Sequence, residues 1–254
     1  MNSIFGPIGH ASVVDAIVEQ IETLILNGIL RDGGRLPSER DLAEQMKVSR
    51  PKVREALKKL EANDLIQVRH GEGAFIAPLV GTAMSPALIS LYARHQDAFL
   101  SYLEFRIAQE SFAAGLAASR ATQADKEILT RTIEQLEQGH IANDSTASQK
   151  ADINFHSAII DASHNSLLVH TMASIYALTE QNLFYNRSFL RSIDGTGEHL
   201  MAQHREIYDA IKLGDPERAS RAAKDHIKFV QRSYLEEQSR AQRDQVSTRR
   251  LALM

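Results

Sequence analysis

Cysteine is missing from all 254 residues, which excludes disulfides and any thiolate metal site. A metal in this protein must therefore be held by His, Asp or Glu. Long apolar runs are missing too, and no stretch approaches the roughly 18 residues of a membrane span. The opening MNSIFGPIGH has neither a basic start nor an apolar core. No secretory signal is expected, and a cytoplasmic protein is. Internal repeats and low-complexity segments are also lacking. Net charge is only -3, but a nucleic-acid binder needs a basic contacting face rather than a basic chain. The remainder is ordinary: 43% hydrophobic and 24% charged residues, enough for a real core in one large or two modest domains.

One stretch has a specific grammar, RLPSERDLAEQMKVSRPKVREALKKLEANDLIQVRHGEGAFIAP, from Arg35 to Pro78. A helix precedes it, with Val13, Ile17, Ile21, Leu24 and Ile25 at helical spacing. Pro37 and Ser38 then open a short helix burying Leu42, Ala43 and Met46, with Ser38 as N-cap and acidic residues in the first turn. Lys47-Val48 makes a turn and Ser49 is expected to cap a second helix, Arg50 to Ala62. That helix buries Val53, Leu57 and Leu60 and presents Arg50, Lys52, Arg54 and Lys58 on its other face. Pro51 falls in its first turn, where a missing N–H costs little. Leu65–Arg69 and Ala74–Ile76 read as two strands around a His70-Gly71-Glu72-Gly73 tip. Helix, turn, capped basic helix and Gly-tipped hairpin in this order specify a winged helix-turn-helix. Single residues such as Lys59 and Arg69 are as readily solvated as bound to DNA.

The segment LPSERDLAEQMKVSRPKVREALKKLEANDLI, with HGEGAFI after it, resembles the DNA-binding domain of the GntR family of bacterial regulators. The resemblance implies that Arg40 of the P-S-E-R motif, Arg50 and Arg54 of the recognition helix, and His70 at the wing tip contact DNA. Lys52 and Gly71, beside them, complete the candidate set. Arginine suits these places because its fork grips guanine O6 and N7, or a phosphate.

Pro78, Gly81 and Pro86 break regular structure, so residues 79–96 are expected to be a linker. Beyond them strand signals vanish and every segment reads as helix, which makes the second part an all-α bundle. Expected helices run over Asp97–Ala121, from the Thr122 cap through Leu136, over Ser148–Ala162, from Asn165 to about Leu190, over Gly197–Leu213 and from Asp215 to about Glu237. Their apolar stripes include Leu103, Ile107, Ile128, Leu136, Ile159 and Leu167. Gly214-Asp215-Pro216 is a stop-and-start signal. The fold class is mainly α: a winged helix-turn-helix over 11–78, the linker, an all-helical domain over 97–238, and a polar 239–254 tail, either a helix extension or frayed.

Asp152 and His156 lie four apart and share one helical face. His204 and His226 fall on two further helices. One carboxylate and three imidazoles from three helices can converge on one ion inside a bundle. The spacing alone is also compatible with a local Asp–His ion pair. An ion so held could activate water in an enzyme, but no separate general base accompanies it, and an enzyme would leave the winged helix unexplained.

LEFRIAQE, ADINFHSAI, QHREIYDAI and KDHI resemble the FadR-like branch of the same family, whose effector domain is the all-helical FCD domain. The likeness to LEFRIAQE is loose and to ADINFHSAI close. It implies a metal bound by Asp152, His156, His204 and His226, with zinc first and nickel, manganese or iron as alternatives. It also implies that Arg106 holds a carboxylate effector, and Asn182 and Tyr185 are candidate walls of that pocket. Leu103 and Ile107 flank Arg106, which places its stem on the core-facing side, and a cation there needs a partner. The segment ADINFHSAIIDASHNSLLVHTM resembles regulators that answer to lactate, glycolate or pyruvate, with sugar acids and dicarboxylates as alternatives. The family reading is a homodimeric regulator, expected to be a repressor, reading a palindromic operator in double-stranded DNA.

Overall fold

Val14, Ile17, Ile21 and Ile25 form one stripe on α1 (Val13–Leu26) and bury it. In the computed structural model the described residues are 12–79, 91, 97–142, 145–180 and 196–252. The chain divides into two units, Met1–Gly81 and Thr82–Met254. The expected register of α1 needs one correction. Val13 is half exposed and Val14 takes its place, because positions 14, 17, 21 and 25 fit one helical face and 13 does not.

α2 (Glu39–Met46) starts at Ser38, whose Oγ accepts from the Asp41 N–H at 3.3 Å. Lys47 ends it with φ 53°, the left-handed bend that turns the chain into α3. α3 (Arg50–Ala62) has Pro51 in its first turn and buries Val53, Ala56, Leu57 and Leu60. Ser49 stands at the N-cap with extended backbone but makes no side-chain capping bond, so the expected cap is positional only. α1 packs against α3, and α2 against α3.

β1 (Ile66–Arg69) and β2 (Gly73–Ile76) pair antiparallel, Ile66 opposite Ile76 and Arg69 opposite Gly73. Gly71 and Gly73 have φ 79° and 110°, backbone that side chains rarely adopt, so the tip needs glycine. A third short segment joins the sheet: Leu36 N–H donates to Ala74 O, and Ile76 N–H to Gly34 O. Leu36, Ile66 and Ile76 thereby seal the same core as α1 and α3. Burying these apolar side chains contributes roughly 1.5–3 kcal/mol each, which lets the unit hold its exposed cations rigidly.

The second unit contains α4 (Asp97–Arg120), α5 (Gln123–Ile141), α6 (Ser145–Ala162), α7 (Ser166–Glu180), α8 (Thr196–Leu213) and α9 (Pro216–Leu251). Its described residues are helical, as the lost strand signals imply. α4 packs on α9, α6 and α8, and α5 packs on α6 and α8. Thr122 and Asp125 form a reciprocal capping box at the start of α5. Asn165 Oδ1 accepts from Leu168 N–H at the start of α7. Between α8 and α9, Gly214 bends with φ 75° and Asp215 accepts from Arg218 N–H at 3.0 Å.

Two expectations are corrected in this unit, the core positions and one helix start. Ile128 and Leu167, expected in the core, are exposed; Leu129 and Leu168 carry those turns inward instead. Of the two alternatives for the polar 239–254 segment the structure has the helix extension, since α9 continues to Leu251 with an exposed, Arg-rich last third. The helix expected to begin at Ser148 begins at Ser145. The expected stretch from 181 to Leu190 falls outside the described residues, as does most of the expected 79–96 linker.

Candidate nucleic-acid face and candidate metal centre

The first unit presents its cations on one set of surfaces. Arg40, Arg50, Lys52, Arg54, His70 and Gly71 are all exposed. Arg40, at 78% side-chain exposure, pairs with Asp41 at 3.6 Å. Lys52 pairs with Glu55 at 3.2 Å. Arg54 is held differently: its Nε donates to both Glu39 oxygens at 3.0 and 3.1 Å, and its Nη2 donates to Oε2 at 2.7 Å. This two-pronged grip fixes the guanidinium plane. It also ties the first turn of α2 to α3 and holds the Glu39 carboxyl below its ordinary pKa. A cleft of about 440 Å³ separates the recognition helix from the wing, lined by Glu39, Arg54, Lys58, Glu61, Gly71 and Glu72 among others.

Two neighbouring cations are accounted for locally. Lys59 donates to Asp15 at 2.8 Å and joins α3 to α1. Arg69 lies 4.4 Å from the Phe75 ring centroid and pairs with Glu72 at 4.0 Å. Both support the domain itself.

In the second unit the candidate residues sit on the buried stripes of four helices. On α4, Leu103, Arg106, Glu110, Ala113 and Ala117 share one face. On α6 the stripe carries Asp152, His156 and Ile159; on α8 it carries Leu200, His204, Ile207 and Ile211; on α9 it carries Ala223, His226, Ile227 and Val230. The helical period places each polar residue one turn from apolar neighbours, so packing the stripes brings the polar atoms together.

Ring nitrogens of His156, His204 and His226 lie within 4.8 Å of one another. His204 Nε2 is 3.3 Å from His156 Nε2 and 3.1 Å from Asp152 Oδ1. Asp152 Oδ1 is 3.8 Å from His156 Nε2. Ligand atoms each about 2.0–2.1 Å from a common ion stand roughly 3 Å or more apart. The observed separations match that requirement, so the donor set fits a divalent cation. Burial pushes the His226 pKa well below its usual value, assisted by His204 and His156. A neutral imidazole is the form that ligates.

Two outer acceptors complete the arrangement. Glu110 Oε2 lies 2.8 Å from His156 Nδ1, and Gln203 Oε1 lies 3.2 Å from His226 Nδ1. An acceptor on Nδ1 directs the lone pair of the other ring nitrogen toward the cluster. Glu110 also takes the Arg106 guanidinium, Nε to Oε1 at 2.5 Å. Arg106 and Glu110 are 4% and 3% exposed, so the pair is a core element and not a surface one. Burial opposes the charge on Glu110, but Arg106 and His156 outweigh it and bring the carboxyl down to about 2. Tyr102 and Tyr176 stand 5.6 and 5.9 Å from the Arg106 guanidinium. Among the described residues the buried Tyr176 hydroxyl has no hydrogen-bond partner of normal geometry, and burial together with the Glu110 charge keeps its proton on.

The sequence expectation for Asp152, His156, His204, His226 and Arg106 therefore meets one connected cluster. Asn182 and Tyr185 lie outside the described residues. Glu110 and Gln203 were missed as outer acceptors. The spacing that put Arg106 inside also put Glu110 inside, one turn along the same stripe. Gln203 adjoins His204 in QHREIYDAI, and nothing in its spacing marked it.

Comparison with known proteins gives matches along most of the chain. Residues 13–76 match the profile of bacterial regulatory proteins of the gntR family, and residues 101–229 match the FCD domain. The "Putative L-lactate dehydrogenase operon regulatory protein" of Escherichia coli K12 is 33% identical over 85% of this chain and 84% of its own length. The "Glc operon transcriptional activator" of the same strain is 32% identical over 87% and 88%. The "HTH-type transcriptional regulator LutR" of Bacillus subtilis is 34% identical over 82% and 94%. Among solved structures, Streptococcus agalactiae GntR is 28% identical with a TM-score of 0.50, covering 87% of this chain and all of that one.

Proposed function

The chain belongs to the GntR family of bacterial DNA-binding transcriptional regulators, in the FadR-like branch with an FCD effector domain, and from that premise we propose how it is controlled. A divalent metal, zinc first, sits on Asp152, His156, His204 and His226. A small 2-hydroxy or 2-oxo acid binds there and takes the Nη nitrogens of Arg106 with its carboxylate. The convergence of three imidazole nitrogens and Asp152 carries this reading. The operon name of the L-lactate dehydrogenase relative supports the acid class.

The DNA face consists of Arg40, Arg50, Lys52, Arg54, His70 and Gly71. A homodimer would place two such faces on a palindromic operator, roughly one helical turn apart. Ligand changes operator affinity because it binds one arrangement of the FCD domain better than another. Repression or activation then follows from where the operator lies relative to a promoter, and one relative is named an activator.

Zinc content and thermal shift test the site. The wild-type protein should hold about one zinc per chain, and His204→Ala should lose it. L-lactate, glycolate or pyruvate should raise the melting temperature of the zinc-loaded protein with concentration. A wild-type protein that binds no divalent metal would sink the proposal, as would identical shifts with and without metal.

A further inference from the structure

Glu110 belongs to neither the metal set nor the DNA face, yet it is among the most thoroughly tied carboxylates of the second unit. Its two oxygens serve different partners. Oε1 takes Arg106 on its own helix at 2.5 Å, and Oε2 takes His156 on α6 at 2.8 Å. A buried carboxylate is costly unless it is paired, and these two contacts pair it. An i,i+4 partner fixes it from α4 while an imidazole fixes it from α6, and the carboxylate is a rigid link between the two.

We propose that Glu110 is a positioning residue that sets the His156 tautomer and couples the charge state around Arg106 to the metal centre. The inference rests on the metal reading above. His156 Nδ1–H donates to Glu110, so the Nε2 lone pair faces His204 Nε2 and Asp152 Oδ1, 3.3 Å and 3.8 Å away. An ionised acceptor behind an imidazole raises its basicity as a ligand. Arg106 draws on the same carboxylate and so moderates that effect. Removing Arg106 hands the full Glu110 charge to His156, although Arg106 reaches no metal-facing atom. A group that engages Arg106 alters the metal centre by the same route, and by linkage the metal alters that engagement in return.

The test is a double-mutant cycle on zinc affinity, read by competition with a chromogenic chelator. Glu110→Gln should weaken zinc roughly 10- to 100-fold. Arg106→Met should tighten it severalfold with Glu110 present and change it less than twofold in the Glu110→Gln background. The paired Arg106→Met, Glu110→Gln protein leaves no buried charge on α4, so it stays informative if Arg106→Met alone does not fold. Imidazole nitrogen spectra of His156 add a readout that a purely structural role would not move. The wild type should show protonated Nδ1, and Glu110→Gln a mixed tautomer.

Zinc affinity within twofold of wild type after Glu110→Gln, with an unchanged tautomer, overturns the inference. Independent, multiplying effects of the two substitutions overturn the coupling. Absence of zinc binding in the wild type instead overturns the metal reading on which the inference rests, and would appear as no binding in all four proteins.

Discussion

The two units hold their functional charges in opposite ways. In the winged helix the cations are exposed and their partners lie at the surface: Arg40 with Asp41, Lys52 with Glu55, Arg54 with Glu39. In the FCD domain Arg106, Glu110, Asp152, His156, His204 and His226 are all buried, and Arg106 pairs with Glu110, Glu110 with His156, and Asp152 with His204. Exposed pairs contribute little to stability and are screened by salt. They suit a surface that must exchange its partners for phosphates and base edges. A buried network stands or falls together, which suits a site that must exist in a few discrete states. The DNA face can therefore lose a residue at little cost in stability, whereas a loss from the effector core is costly.

The largest effect that would break this contrast is on stability. Arg106→Met leaves Glu110 charged and short of its cation, and should destabilise the metal-free FCD domain by about 3–5 kcal/mol. The paired Arg106→Met, Glu110→Gln change should recover much of it. Chemical denaturation checks both, and a mild Arg106→Met would mean that the network is not cooperative.

Acid comes next. His226 has its pKa lowered well below 6.5, so the unfolded chain binds the extra proton first, and stability falls as pH drops below that value. Glu110, brought from 4.5 to about 2, gives a second loss in the same direction as pH falls through that interval. Thermal melts of metal-free protein from pH 7 to 3 should show both steps. A melting temperature flat across that range would contradict the buried network.

Arg54→Ala should weaken operator binding roughly five- to 150-fold while the melting temperature hardly moves. An Arg54→Ala protein that unfolds would show that the Glu39 grip is structural and the contrast wrong. The smallest expected effect is that of Lys59→Ala: with its charge engaged by Asp15, operator affinity should change less than twofold in a gel-shift titration.

Much of the fold could be read from local chemistry. Ser38 followed by Asp41, the Pro51 first turn, the glycines of the wing tip and Gly214-Asp215-Pro216 each act within a few residues, and each behaves as its local physics requires. Apolar periodicity was less reliable. Val13, Ile128 and Leu167 are apolar next to the true core positions Val14, Leu129 and Leu168, and one step of register separates a buried face from a wet one. Asp152 with His156 was legible as an i,i+4 pair. Its convergence with His204 and His226 was legible only through the family likeness. Glu110 and Gln203 act across helices, on His156 of α6 and His226 of α9, and no sequence period encodes that proximity.

On the proposed function a buried metal and a small carboxylate govern an exposed DNA face. The direct measurement is operator affinity at fixed salt, on a palindromic duplex selected from a random pool, for zinc-loaded and metal-stripped protein, each with and without a 2-hydroxy acid. The expected result is a ligand-dependent change of roughly five- to 150-fold in the loaded protein and none after stripping or in His204→Ala. An equal ligand response with the metal removed would contradict it.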